Sequence, residues 1–323
     1  MTRKRDPSDP GDCAAKPYRS FGDHLLQTYG RRVLKIPINA NLSCPNREGN
    51  TGGHGCIFCS GDGSASPGTD GTTRLEQQIE SAKKNFKRAG PGTGYIAYFQ
   101  AYTNTYASPD ELKHLYDRAL SSPGMMGLMI GTRPDCLPDD VLDLIASYMR
   151  PGFELWLEIG MQSAHDRSLE LLRRRHSLAD TIDAVRRSNL RGIPVCAHLI
   201  LGIPGETWND MMDTAIFLRS MPLKGLKLHH LHVIRGTPLE EWYRDGRMVP
   251  LSLKEYASLL CDFLERVSPD IIIHRLMGDR DEETLIAPHW SLRKGTAIKA
   301  IEEEFRRRDT YQGFLFDLEA PQS

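Results

Sequence analysis

The chain has 323 residues, 40% hydrophobic and 26% charged, enough to bury the core of one large α/β domain or two smaller ones. Its formal net charge of −1 excludes a global charge drive toward nucleic acid or membrane surfaces. No apolar run approaches the roughly 18 residues of a membrane span, and the N-terminal "MTRKRDPSDPGD" has no apolar segment to serve as a signal peptide, so a cytoplasmic protein is expected.

Residues 1–17 read as a disordered leader. "VLKIPIN" (33–39) reads as the first strand, followed by a Gly-, Asn- and Ser-rich loop over 40–72. Thr73 and Glu76 form a capping box for a helix whose apolar face is Leu75, Ile79, Ala82 and Phe86. "GYIAYFQ" (94–100) is a second strand, 109–121 a helix, and "MMGLMIGT" (125–132) a third strand; Pro138, Asp139 and Asp140 open the next helix. "FELWLEIG" (153–160), "VCAHLILG" (195–202) and "GLKLHHLHV" (225–233) complete six strands, with helical spacing between them, as at Met211, Ala215 and Leu218. The tail holds a helix (Leu253 to Val267), a short "DIIIHRL" strand and a charged terminal helix.

Alternating strands and helices predict a parallel sheet with helices outside it. Six units fall short of the about 250 residues of a complete eight-unit barrel. The expected fold is a partial (βα)6 TIM-type barrel over 18–250 with a C-terminal α/β extension over 251–323.

Three of the seven cysteines lie in "SCPNREGNTGGHGCIFCS" (43–60): Cys44, then Cys56 and Cys59. Thiolates at this spacing bind soft or borderline metals. His54 can complete a Cys3His zinc site, three cysteines can hold an iron–sulfur cluster with one open iron, or the loop can be unliganded. Its position after a barrel strand favours an active site, since strand C-terminal ends build active sites in this architecture. Cys13, Cys136, Cys196 and Cys261 are scattered and read as small hydrophobes.

In "FELWLEIG", Phe153, Leu155, Leu157 and Ile159 share one face, which should meet the helices; Glu154, Trp156 and Glu158 then face inward. A carboxylate at Glu158 suits a ribose diol; the competing reading is an ion pair with an inward Lys or Arg. Gln162 and Ser163 stand at the barrel mouth as cofactor or substrate contacts, or as loop hydrogen-bonders. Arg133, beside Thr132 at the end of the third strand, can fork a carboxylate or phosphate, or pair with Asp135. Gly202 permits close backbone approach of an adenine, or simply a turn. Alternation puts His230 and His232 on one face and His229 on the other, as polar lining of a substrate chamber; His198 and His289 have no assignable role. The basic runs at 83–88, 173–176, 186–187 and 306–308 read as solvated helix faces or a phosphate-binding stripe.

The chain resembles the radical SAM superfamily, and within it the YhcC/YtqA-like family related to the catalytic subunit of Elongator. The likeness runs over 18–316 and rests on the cysteine motif with "YFQAYTNTYAS", "IGTRPDCLPD", "LEIGMQSAHD", "HLILGIPGET", "LHHLHVIRGTPL" and "LIAPHWSLRKG". The superfamily's usual Cys-x3-Cys-x2-Cys has a longer first gap here, which Gly49, Gly52, Gly53 and Gly55 let fold back. The resemblance implies a 4Fe–4S cluster on Cys44, Cys56 and Cys59, S-adenosylmethionine on its open iron, and a 5′-deoxyadenosyl radical that abstracts hydrogen from the substrate. It implies that Glu158, Gln162, Ser163, Thr132, Arg133 and Gly202 serve the cofactor, and that Gln100 or Asn104 replaces the Gly-Gly-Glu of relatives. No residue is assigned a catalytic role. The implied partners are tRNA modified at a 5-substituted wobble uridine, in one version by removal of a carboxymethyl group, and a reducing protein such as flavodoxin or ferredoxin. Two other readings stand beside it: a radical enzyme acting on a small metabolite or peptide, and a non-catalytic zinc-binding adaptor.

Overall fold

The computed structural model describes residues 16–48, 55–63, 65–66, 69–87 and 89–317. Residues 1–15 of the expected leader lie outside this set, as do Cys13, Gly49, Gly52, Gly53 and His54. Lys16 and Pro17 are anchored: Lys16 pairs with Asp23 at 3.0 Å, and the Pro17 carbonyl accepts from Gln312 N at 2.8 Å.

In chain order the elements are α1 (Phe21–Tyr29), β1 (Val33–Ile38), α2 (Leu75–Asn85), β2 (Gly94–Phe99), α3 (Pro109–Leu120), β3 (Met125–Thr132), α4 (Asp139–Ala146), β4 (Glu154–Gln162), α5 (Asp166–Leu171), α6 (Leu178–Leu190), β5 (Val195–Leu201), α7 (Trp208–Phe217), β6 (Gly225–His230), β7 (Val233–Ile234), α8 (Pro238–Arg244), α9 (Leu253–Glu265), β8 (Ile272–Arg275), β9 (Leu285–Ala287) and α10 (Lys294–Arg308). Four helices start on capping boxes, Ser108/Glu111, Ser177/Asp180, Thr207/Asp210 and Ser252/Glu255, each satisfying otherwise orphaned N–H groups. The expected Thr73/Glu76 box does not form. Arg74 is the N-cap of α2, with no side-chain cap, and Glu76 turns instead to Arg118 at 2.6 Å.

Seven strands make one parallel sheet in the order β1-β2-β3-β4-β5-β6-β8, curled into a half-barrel. The seventh strand comes from the tail and pairs with β6. The sixth strand is shorter than expected: it ends at His230, and Val233–Ile234 leave to pair antiparallel with β9 in a separate two-stranded sheet.

Alternation sorts each strand's side chains. Leu155, Leu157 and Ile159 join the outer core beneath the helices, whereas Trp156 joins an inner cluster with Phe21, Val33, Tyr98, Met129 and Cys196. α1 closes the N-terminal end of the half-barrel. Its Phe21 stacks on His274 at 4.2 Å, and His24 and Tyr29 reach Glu154 at 3.0 and 2.7 Å. Among the described residues the chamber opens where the strands terminate. Cys136, Cys196 and Cys261 are buried.

Among the described glycines, the closest approach to another strand's backbone is at Gly127, in register with Glu154: a Cβ there would lie 2.6 Å from the Glu154 carbonyl oxygen. Gly127→Ala is expected to cost about 1–3 kcal/mol, because β3 and β4 must separate. Urea unfolding of the two proteins checks this; an unchanged midpoint contradicts the packing.

Candidate functional site

A cavity of about 280 Å³ lies at the C-terminal ends of the strands, and Cys44, Cys56 and Cys59 all line it. The cysteine loop is tied down through Ile57, which is fully buried: its N–H donates to the Leu172 carbonyl at 3.2 Å, and its carbonyl accepts from Leu239 N at 3.1 Å. Gly55 takes φ +63°, the left-handed conformation a glycine adopts without strain.

Hydrogen-bond donors surround the sulfurs. Cys56 Sγ accepts from Asn46 Nδ2 at 3.2 Å and from Arg174 Nη1 at 3.4 Å; Cys59 Sγ lies 3.4 Å from Arg47 Nη2. Arg174 is aimed by its neighbours. Arg173 and Arg175 both have positive φ, 54° and 55°, and both are exposed, while Arg174 between them is buried. The carbonyls of this turn are gripped by Asn46 at 2.9 and 3.2 Å and by Arg133 Nη2 at 2.7 Å. Strain of this kind persists where the surroundings over-determine it.

The structure brings part of the expected set together. Gln100, Thr132, Arg133 and Gln162 line the cavity with the cysteines. Gln162 holds φ +70°, and Gln100 accepts from Ser66 Oγ at 2.8 Å. Arg133 is bidentate to Asp135 at 2.9 and 2.8 Å, the pairing weighed against ligand binding, and its Nη1 is buried with no hydrogen-bond partner.

Four expected residues lie elsewhere. Asn104 is fully buried and donates to the Gly131 carbonyl at 2.9 Å. Ser163 is buried and donates to Glu206 at 2.5 Å. Gly202 serves a turn at φ +85°, where a Cβ would meet Leu251 at 2.9 Å. Glu158 faces inward, as alternation required, but sits one layer too deep. β4 runs on to Gln162, so Gly160 lines the cavity and Glu158 lies beneath it.

Glu158 is the centre of a buried network. Its carboxylate accepts from Tyr98 Oη at 2.5 Å and Lys227 Nζ at 2.9 Å and meets His198 Nε2 at 2.9 Å, with His274 Nδ1 at 3.5 Å; Lys227 also donates to Tyr98. The carboxylate has thus taken the inward lysine rather than a ribose. Burial raises its pKa, but Lys227 and then His198 outweigh burial and hold it well below the usual range. Burial, then Lys227, depresses His198 to about 4. His274 falls to about 4, and His232 and His176 to about 3, in each case chiefly through burial.

The residues fit a group held by three sulfurs. Donors directed at sulfur, two of them cationic, are surroundings for thiolates and raise the reduction potential of an iron–sulfur centre. A lone zinc ion, with Zn–S bonds of about 2.3 Å, would draw its ligands much closer together. Among the described residues the trio of ligand atoms gathered within 4.8 Å is instead Glu158, Cys196 and His198, where the Lys227 ammonium already neutralises the carboxylate.

Residues 49–218 match the Radical SAM superfamily, and residues 223–307 the Radical_SAM C-terminal domain. The chain belongs to the radical SAM superfamily. Within it the chain is a member of the YhcC/YtqA-like family. It is 37% identical to YtqA of Bacillus subtilis (strain 168) over 307 residues, covering 95% of each chain. It is 28% identical over 157 residues to a tRNA uridine(34) acetyltransferase of Dehalococcoides mccartyi (strain CBDB1), spanning 48% of this chain and 33% of that one. Elp3 of the archaeon Methanocaldococcus infernus shares the fold, with a TM-score of 0.65 at 15% identity over 89% of this chain and 67% of that one. The radical SAM protein is therefore an enzyme whose cofactors are a 4Fe–4S cluster and S-adenosylmethionine, and a zinc adaptor is set aside. No helix among the described residues is long and apolar enough to cross a membrane.

Sequence reasoning missed Asn46, Arg47 and Arg174 around the sulfurs, and Lys227 and Tyr98 in the floor of the cavity. The first two lie inside the cysteine motif itself, and Lys227 is a lone charge inside an apolar strand, a signal of an inward partner. Arg174 hid in a basic run that looked like a solvated face.

The depressed histidines predict acid lability. The unfolded chain takes up protons below about pH 6.5, while the folded sites resist down to about 4 or 3. Their contribution is intact above pH 6.5 and is lost as pH falls toward 4. The urea midpoint should drop steadily from pH 7 to pH 5, above the range where most carboxylates titrate; a flat profile contradicts neutral buried imidazoles.

Proposed function

We propose that this radical SAM enzyme modifies tRNA at a 5-substituted wobble uridine, with Cys44, Cys56 and Cys59 holding the cluster. The observation that carries the cluster assignment is the set of three cysteines on one cavity with Asn46 and Arg174 directed at the Cys56 sulfur and Arg47 at that of Cys59. When bound and reduced, the cluster with S-adenosylmethionine supplies a 5′-deoxyadenosyl radical that removes a hydrogen atom from the substrate.

The chain's own residues bind and enclose. Arg174 and Arg47 compensate thiolate charge. Gln100, Thr132, Arg133 and Gln162 supply polar groups to the cofactor at the strand ends, with Arg133 Nη1 as a ready donor. The α1 plug and the inner apolar cluster close the chamber below and keep water from a reactive carbon radical. In this reading residues 18–250 are the cofactor-binding unit, and 251–323 an extension that completes the substrate wall.

The tRNA reading is supported by the sequence likeness to the tRNA uridine(34) acetyltransferase. It is also supported by the arginine run: Arg186, Arg187, Arg307 and Arg308 are neutralised by Asp183 and Glu304, whereas Arg173 and Arg175 stand exposed beside the cavity. One concrete reaction is loss of a carboxymethyl group from an aminomethyl-uridine. Hydrogen-atom removal from the carbon beside nitrogen, then loss of one electron to an oxidised flavodoxin- or ferredoxin-class protein, leaves an iminium. Water then releases glyoxylate and the free amine.

Anaerobic, reduced enzyme incubated with S-adenosylmethionine is expected to yield 5′-deoxyadenosine, and Cys44→Ala, Cys56→Ala and Cys59→Ala to lose both iron and product. A fully loaded enzyme that makes none contradicts the radical assignment. Mass spectrometry of tRNA nucleosides from deletion and parent strains is expected to show a changed wobble-uridine profile; identical profiles reject the tRNA substrate.

A further inference from the structure

The buried charges inside the half-barrel do not balance. Register places Lys227 of β6 beside Arg275 of β8. Lys35 of β1 faces the same interior, its ammonium 5.4 Å from the Tyr98 ring and 4.6 Å separating Lys227 from that ring. Burial, then Lys227, lowers Lys35 to about 8, which leaves it mostly protonated at neutral pH. Against these three cations stand two buried carboxylates: Glu158, wholly buried and already committed to Lys227, and Glu154, held by His24, Tyr29 and Trp156 at the start of β4. The surrounding His198, His229 and His274 are held neutral by burial and add no charge that would help.

Lys35 and Arg275 are the cations left over, and of the two Arg275 is the one at the cavity. Its side chain is 17% exposed, and it lines the cavity. Its Nε donates to the Met277 carbonyl. Among the described residues its nearest carboxylate is Asp279, at 4.0 Å, and that group lies 2.6 Å from Lys294. Arg280, also on the cavity and 10% exposed, has Asp62, at 3.8 Å, as its carboxylate partner among the described residues. A buried guanidinium without a close anion is costly, and it is retained where something else completes it. With Nε fixed by Met277, the two terminal nitrogens are left to fork a pair of oxygens.

We propose that Arg275 anchors a substrate subsite for an oxyanion, a carboxylate or a phosphate, in the wall of the cavity. The proposal rests on the proposed function only in taking this cavity as the reaction chamber. β1, which leads into the cysteine loop, and β8, which ends at Arg275, are the two edges of the sheet. Arg275 and the three cysteines line the same cavity, so a substrate held by its anionic end at Arg275 shares one chamber with the cysteines. Lys227, in register beside Arg275, keeps the wall electropositive but is itself satisfied. Specificity for an anionic substrate thus comes from the tail of the chain.

The test uses the full-length protein, loaded anaerobically with cluster and saturated with S-adenosylmethionine, at constant ionic strength. Sodium acetate and inorganic phosphate are titrated separately against a chloride control, and thermal unfolding is followed. At least one is expected to raise Tm by about 2 °C at millimolar concentration. An acetate response assigns a carboxylate, a phosphate response a phosphoryl group. Arg275→Met is expected to abolish the shift, bind S-adenosylmethionine as the parent does, and show no lower Tm in anion-free buffer; Arg186→Gln, on an exposed helix face, keeps the shift. The proposal is overturned by no response to either anion, by a shift that survives Arg275→Met, or by a lowered Tm of that variant, which makes the guanidinium structural. Loss of S-adenosylmethionine binding in Arg275→Met also overturns it, because the anion is then the cofactor's own carboxylate. Absence of 5′-deoxyadenosine from the parent bears on the proposed function and leaves the anion result standing.

Discussion

One buried carboxylate ties the half-barrel together. Glu158 of β4 meets Tyr98 of β2, His198 of β5, Lys227 of β6 and His274 of β8, so five of the seven strands place a polar group on one point. A carboxylate in an apolar interior survives only when paired and hydrogen-bonded, and each partner here is delivered by the inward step of its own strand. The network forms the floor of the cavity. It fixes how deep a ligand can go, while burial keeps the surrounding histidines neutral.

The cysteine loop is built on different physics. It is not part of the sheet, and its position depends on Ile57 buried among the loops that follow β4 and β6 and on Asn46 bridging to the Arg173–Arg174 turn. The strained turn spends local backbone energy to point one arginine of three at Cys56 and two at solvent. The same six residues, 171–176, thus serve the sulfur environment on one side and the outer surface on the other.

The tail does more than cover an edge. By adding β8 it extends the sheet beyond the six strands of the repeating pattern and brings Arg275 into the chamber beside Lys227. The wall nearest the tail is cationic and rich in neutral imidazoles, whereas the Cys56 sulfur stands against Arg174, which is anchored on Gly160 near the end of β4. A chamber with these two sides suits a cofactor on one and an oxyanion-bearing substrate on the other.

Much of this was legible in the sequence. The βα alternation determined a parallel sheet, because strands buried on both faces and joined by helices leave no other arrangement. The period-two pattern of "FELWLEIG" determined that Glu158 points inward, and the spacing of Cys44, Cys56 and Cys59 marked their loop as a candidate metal site. What the pattern could not supply was depth and partnership. Glu158 was placed at the mouth because the strand's end was read two residues early, at Gly160 rather than Gln162. Asn104 and Ser163 carry the right residue types but spend them on the Gly131 carbonyl and on Glu206, and Gly202 serves a turn. Arg174 and Arg275 were invisible, since a charge run and an edge strand reveal neither which arginine is buried nor which is left without an anion. Those outcomes depend on contacts between residues far apart in the chain, such as Arg174 with Cys56 and Lys227 with Glu158, and only packing the half-barrel brings them together.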